Sequence, residues 1–128
     1  MWTSNGGNNQ RWRLAPAIST SLASQGYYNL VNVNSGLVLD VPGAAALNAG
    51  TTLDQYGANT AFNGDGANQA WMLIAEPGGF YVLQSAEPSG PFVVDVQGAG
   101  VTPGSAAIQN NVTGAPTLTQ QWRIVPVN

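Results

Sequence analysis

Six side chains can carry a negative charge, Asp40, Asp54, Asp65, Glu76, Glu87 and Asp95, and three a positive one, Arg11, Arg13 and Arg123. There is no histidine, cysteine or lysine. Histidine is the usual proton carrier near neutral pH, so acid–base chemistry would fall to carboxylates alone. Without His or Cys there is no Ser-His or Cys-His nucleophile pair, and no zinc site of the usual nitrogen and sulfur ligands. A pair such as Asp54 and Asp65 could cleave a glycosidic bond only if held about 5–10 Å apart in a cleft, and nothing in the sequence builds one. The chain therefore reads as non-catalytic, with no metal and no cofactor.

The surface that remains is mostly uncharged. Charged residues are 7% of the chain, where about 25% is usual, so Asn, Gln, Ser, Thr and Gly must supply the polar surface. Such neutral hydrogen-bonding surfaces suit neutral polar ligands. A net charge of −3 without a basic cluster removes the attraction on which nucleic-acid and anionic-lipid binding depend. No run of 18 apolar residues could span a membrane, and residues 1–25 lack the cationic start and apolar stretch of a signal peptide. The 128 residues, 44% of them hydrophobic, suit a single domain over 1–128.

The elements that must position any site are repeated. Gln-x-Trp occurs as Gln10-Arg11-Trp12, Gln69-Ala70-Trp71 and Gln120-Gln121-Trp122, at spacings of 59 and 51 residues, each followed by a short apolar run. Upstream of the second and third copies lie matching blocks, Tyr27-Tyr28-Asn29-Leu30-Val31 with Phe80-Tyr81-Val82-Leu83, and Leu37-Val38-Leu39-Asp40-Val41 with Phe92-Val93-Val94-Asp95-Val96. Bounded by Gly, Pro, Asn and Ser, these read as strands over 28–33, 37–41, 51–56, 70–74, 80–84, 92–96, 105–109 and 121–125. No stretch has helical periodicity, and 15–25 reads as an irregular link.

Alternation along the strands predicts that Leu37, Leu39 and Val41 face the core and Asp40 faces out, with Phe92, Val94 and Val96 inward and Asp95 outward. The three Gln-x-Trp tryptophans are expected in the core. Each motif Gln shares its Trp's face, so its amide must be hydrogen-bonded, and nearby loop backbone is the expected partner.

Three Gln-x-Trp copies, each closing a four-strand unit, resemble the ricin B-type lectin family, whose fold is the β-trefoil. The resemblance implies an all-β chain with pseudo-threefold repeats. Residues 26–75 and 79–125 resemble whole repeats, and 1–14 only the second half of one, so the first repeat is incomplete and one side of the barrel is expected to stay open or be covered by another chain. It further implies carbohydrate-binding residues in the second repeat, namely Asp40, Asp54, Tyr56, Asn68 and, behind it, Gln69. Asp54 stands where the family commonly has Gln. The third repeat keeps Asp95 but has Ile108, Asn110 and Thr119 at the other contact positions, and the first keeps Trp2 and Asn9 without an acid, so both look degenerate.

In function, the resemblance implies a non-catalytic, lectin-like module. It would hold a neutral carbohydrate, such as a galactose-containing glycan or a xylan-like polysaccharide, weakly and multivalently. It would be secreted, either tethered to an enzyme domain or self-associating. The rival expectation is a structural self-assembly unit in which another chain supplies the missing strands.

Overall fold

In the computed structural model, residues 1–43, 46 and 48–127 are described. Nine short strands dominate: β1 (Trp12–Pro16), β2 (Tyr28–Asn32), β3 (Val38–Asp40), β4 (Thr51–Thr52), β5 (Asp54–Tyr56), β6 (Trp71–Glu76), β7 (Phe80–Ser85), β8 (Phe92–Val96) and β9 (Ala107–Asn111). Their pairings are antiparallel, in the order β4-β9-β8-β7-β6-β2-β3-β5, with β1 beside β2.

Two equivalent units are visible in the register. Trp71 opposes Tyr28, the start of its own unit, and then leads β6 into a ladder with β7 from Trp71↔Ser85 to Glu76↔Phe80. Trp122 opposes Tyr81 in the same way. β1 pairs with β2 from Trp12↔Asn32 to Pro16↔Tyr28, as β6 does with β7. The β6–β7 hairpin turns through two left-handed residues, Gly78 and Gly79, with φ of +82° and +80°, a conformation that side chains other than hydrogen rarely tolerate.

Residues 121–125, expected as a strand, make only the Trp122 bridge. By analogy with β6, the other side of that segment should pair with the first strand of the first repeat, and no described residue occupies the place. The irregular link expected at 15–25 is also corrected. Ala15 and Pro16 extend β1, and Thr20–Ser24 form a short helix, α1, capped by the Ser19 side chain accepting from the Leu22 N–H. Five residues are too few to show a period in sequence, and the helix is held by Leu22, buried against Ala17, Ala67 and Ala70.

The main core gathers Leu30, Val41, Ala46, Trp71, Leu83 and Val94. Trp71 is fully buried, as expected, and Trp122 packs partly buried against the same cluster. Trp12 departs from the expectation at 41% exposed. The Trp71 indole donates to the Leu39 carbonyl at 3.2 Å and that of Trp122 to the Val94 carbonyl at 3.0 Å, in each case the residue before the repeat's Asp. The first repeat has no such strand among the described residues, so Trp12 lacks both the cover and the acceptor.

One cross-repeat tie stands apart. β9 of the third repeat pairs with β8 on one side and with β4 of the second repeat on the other. Its Gln109 is fully buried and donates to the carbonyls of Ala46, at 2.7 Å, and Asn48, at 3.2 Å.

Candidate functional site

The Gln of each Gln-x-Trp ends a 3-10 turn, at Asn8–Gln10, Ala67–Gln69 and Leu118–Gln120. There it does what its burial requires. Gln69 Oε1 accepts from the Asn59 N–H at 3.0 Å, while Nε2 donates to the Gly57 carbonyl at 3.1 Å and to Asp40 Oδ1 at 2.9 Å. Gln120 repeats the pattern with the Thr117 N–H, the Asn111 carbonyl and Asp95. Gln10 clips the Asn5 N–H and the Thr3 carbonyl, with no acid to reach. The turn at 67–69 is approached through Gly66, whose φ of +70° suits glycine and where a Cβ would run into the Asn59 carbonyl oxygen.

Asp40 and Asp95 are not outward-facing. They are 4% and 6% exposed. Alternation places them on the face away from the barrel core, but in each unit the 3-10 turn before the tryptophan folds over that face. With the core on one side and the turn on the other, all five residues of β8 are buried. Leu37 is likewise exposed rather than inward, because β3 begins only at Val38.

Asp40, Asp54, Tyr56 and Asn68 line one open hollow of about 450 Å³, with Pro42, Asn59 and Phe62 among the rest of its wall. Gln69 sits behind it, 1% exposed, holding Asp40. Asp65 does not line the hollow and instead accepts from the Ala67 N–H. β3 and β5 set Val38 opposite Tyr56 and Asp40 opposite Asp54. Tyr56 stands 61% exposed. Asn68 donates from Nδ2 to Asp40 Oδ1 at 3.0 Å and to the Val41 carbonyl at 2.9 Å, which leaves its buried Oδ1 without a partner. Asn59 and Phe62 are wall residues that the sequence does not signal, because they lie on a non-periodic loop. The repeated Gln implies that its amide holds some loop there, though not which residues the loop presents.

The electrostatics of the two acids differ. Burial pushes the Asp40 carboxyl up, the Gln69 amide pulls it down, and Asp54, through a hydrogen bond and its charge, pushes it up again, to about 6. Burial also pushes Asp95 up, but hydrogen bonds from Thr119, Asn110, the Val96 N–H and Gln120 outweigh it and hold the carboxyl below the ordinary value.

The third repeat nonetheless keeps a hollow, of about 620 Å³, lined by Asp95, Ile108, Asn110, Leu118, Thr119 and Gln120 among others. Asn110 occupies the place of Tyr56 and donates to Asp95 at 3.0 Å. Trp2 of the first repeat, 77% exposed, lies against Gly104 of the third. No group of three or more His, Cys, Asp or Glu among the described residues could hold a metal, and no helix among them is long and apolar enough to cross a membrane.

The family described as ricin-type beta-trefoil lectin domain-like matches residues 1–56. A designed threefold-symmetric protein, ThreeFoil, is 32% identical, with the match covering 98% of this chain and 79% of that one at a TM-score of 0.79. The chain belongs to the ricin-type β-trefoil lectin family. Its fold is the β-trefoil. An exo-beta-1,3-galactanase from Clostridium thermocellum is 29% identical over 98% of this lectin-like chain, with a TM-score of 0.78, and the chain spans 24% of that protein. A mosquitocidal holotoxin, 17% identical, shares the fold at a TM-score of 0.78 over 99% of this chain and 14% of its own. No curated protein matches the sequence.

Proposed function

We propose that the chain is a non-catalytic carbohydrate-binding module whose ligand sits in the hollow between β3, β5 and the 67–69 turn. The observation that carries this is the convergence of Asp40, Asp54 and Asn68 as polar contacts beside the exposed Tyr56 ring. Carboxylates and an amide carbonyl accept sugar hydroxyls, and an aromatic face packs on the apolar C–H face of a pyranose. A galactose-containing glycan is the first ligand to try, given the likeness to part of a galactanase, and a xylan-like polysaccharide the second. A single open hollow of this kind binds weakly, at about 0.1–1 mM, so retention on a polysaccharide comes from several linked sites or a tethered enzyme domain. The module acts outside the cell, where such ligands are.

Tyr56→Ala should weaken binding of a galactose-containing oligosaccharide by about 1–3 kcal/mol, on the scale of aromatic stacking with nucleobases. Its exposure keeps the stability near the parent's. Leu118→Ala, at an 87% exposed residue of the third hollow, should leave binding unchanged. Isothermal titration of both variants checks this, and equal losses would move the site out of the second repeat.

A second reading, assembly with another chain, is favoured by the exposed Trp12 and Leu14, both 41% exposed, and by the single bridge at Trp122. β1 and residues 121–125 then offer edges to a partner's strands. Sedimentation over a hundredfold range of concentration should show a dimer in which Trp12 fluorescence is shielded. A concentration-independent monomer ends this reading.

A further inference from the structure

We propose that the hollow of the second repeat is a receptor for a primary ammonium carried on a sugar, that is, an amino sugar whose nitrogen is free rather than acetylated. This rests on the carbohydrate reading above and narrows it from sugars in general to one class.

Donors and acceptors around the hollow do not balance. Asp40 and Asp54 oppose each other across β3 and β5. Asn68, 5% exposed, commits its Nδ2 to Asp40 and Val41, and its buried Oδ1 has no partner. The wall thus holds two carboxylates and an amide whose donor is spent within the fold and whose carbonyl is unpaired. Asn59, also in the wall, has its Nδ2 on the Gly57 carbonyl. Nothing packed against Asp40 neutralises it: β2 (Tyr28–Asn32) carries no charged residue, β5 carries Asp54 and Tyr56, and the 67–69 turn carries none. None of Arg11, Arg13 and Arg123 lines the hollow.

The third repeat is the internal control. Opposite Asp95 stands Ile108 instead of a second acid. Where the second repeat has Tyr56 the third has Asn110, and Asp95 takes hydrogen bonds from Asn110 Nδ2, Gln120 Nε2 and the Val96 N–H. One fold position therefore holds, in the third repeat, an acid with donors on both oxygens, and in the second an acid whose amide donors, from Asn68 and Gln69, both reach Oδ1 while a second carboxylate stands opposite.

A primary ammonium brings three donors and no acceptor, each hydrogen bond to a carboxylate is charge-assisted, and its charge offsets the repulsion between the two acids. A sugar hydroxyl brings one donor. N-acetylation deletes the charge and adds a carbonyl where acceptors are already in excess. The Tyr56 ring accommodates the pyranose C–H face and is attractive to a nearby cation. Burial, with Asp54 opposite, holds the Asp40 carboxyl above its ordinary value, and an ammonium between the two acids relieves the part that Asp54 contributes.

Titration of the full chain at pH 6.5 with galactosamine, N-acetylgalactosamine and galactose tests the proposal. Galactosamine should bind about tenfold or more tightly than the other two, and the advantage should shrink as salt is raised. Asp54→Gln, at an exposed position that leaves the fold intact, should lower galactosamine affinity about tenfold more than it lowers galactose affinity, so that the two sugars bind alike. Equal affinity for all three sugars overturns the proposal and leaves the carbohydrate reading standing. Methylammonium matching galactosamine while galactose is silent overturns the carbohydrate reading and leaves a simple cation site. Silence toward every probe overturns both.

Discussion

Trp71→Ala should destabilise the chain by about 3–5 kcal/mol, the usual cost of removing a large buried aromatic, whereas Trp12→Ala should cost about 1 kcal/mol or less. The two residues share a motif and a strand position, and differ in surroundings. Trp71 is fully buried among Leu30, Val41, Leu83 and Val94, and its indole N–H closes on the Leu39 carbonyl. Its loss leaves both a cavity and an orphaned acceptor. Trp12 is 41% exposed with no equivalent strand to meet it among the described residues. Since small domains hold only about 5–15 kcal/mol in total, the first variant should approach unfolding. Urea midpoints of the two variants decide the matter, and comparable losses would mean that the first repeat is covered in solution.

The chain should be more stable at pH 5 than at pH 7.5, by about 1 kcal/mol from Asp40 alone. Asp40 holds its proton to about 6 in the fold against an ordinary 3.8. The folded state therefore binds the proton more tightly than the unfolded chain, so this contribution is fully present below about 3.8 and is lost as pH rises through about 6. Its full span is about 3 kcal/mol, since each tenfold gain in proton affinity is worth about 1.4 kcal/mol. Asp95 acts with the opposite sign: its carboxyl is lowered, so its contribution is present above the ordinary value and lost as pH falls below it. Asp40→Asn keeps an oxygen to accept from Asn68 and Gln69 and turns a donor toward Asp54. It should flatten the slope between pH 5 and 7.5 and stabilise the neutral-pH protein. Denaturation of both proteins at the two pH values is the check, and a parent more stable at 7.5, or a slope surviving the substitution, sinks the account.

These expectations depend on what a repeat can and cannot disclose. Aligning Gln69 with Gln120 and Asp40 with Asp95 places most strands to within two residues and β8 at Phe92–Val96 to the residue, because both copies obey one hydrogen-bonding scheme, although 51–56 divides into β4 and β5 and 121–125 makes only a bridge. The same alignment brings Asp40, Asp54, Tyr56 and Asn68 to one place, since each is matched by its position in the unit. It fails where an environment comes from outside the strand itself. The burial of Asp40 and Asp95 depends on a turn folding across the face that simple alternation leaves open. The exposure of Trp12 and the lone bridge at Trp122 both trace to first-repeat strands that no described residue forms, and while the repeat count shows 1–14 to be half a unit, the alternation within each Gln-x-Trp segment does not show which tryptophan loses its cover. Asn59 and Phe62 lie on a loop whose shape follows from the Gln69 amide rather than from any periodicity of its own.

Gln109 reaches out of the third repeat to hold the carbonyls of Ala46 and Asn48, beside the stretch in which Pro42 and Gly43 wall the second hollow. Because β9 is also the strand on which β4 depends, neither repeat can melt without stripping hydrogen bonds from the other. Amide protons at Gly50 and Leu53, which donate to Gln109 and Ala107, should then exchange with deuterium only as fast as β9 itself opens. The two repeats form a single cooperative unit, and heating should trace one calorimetric transition, with no stage at which one hollow survives the loss of the other.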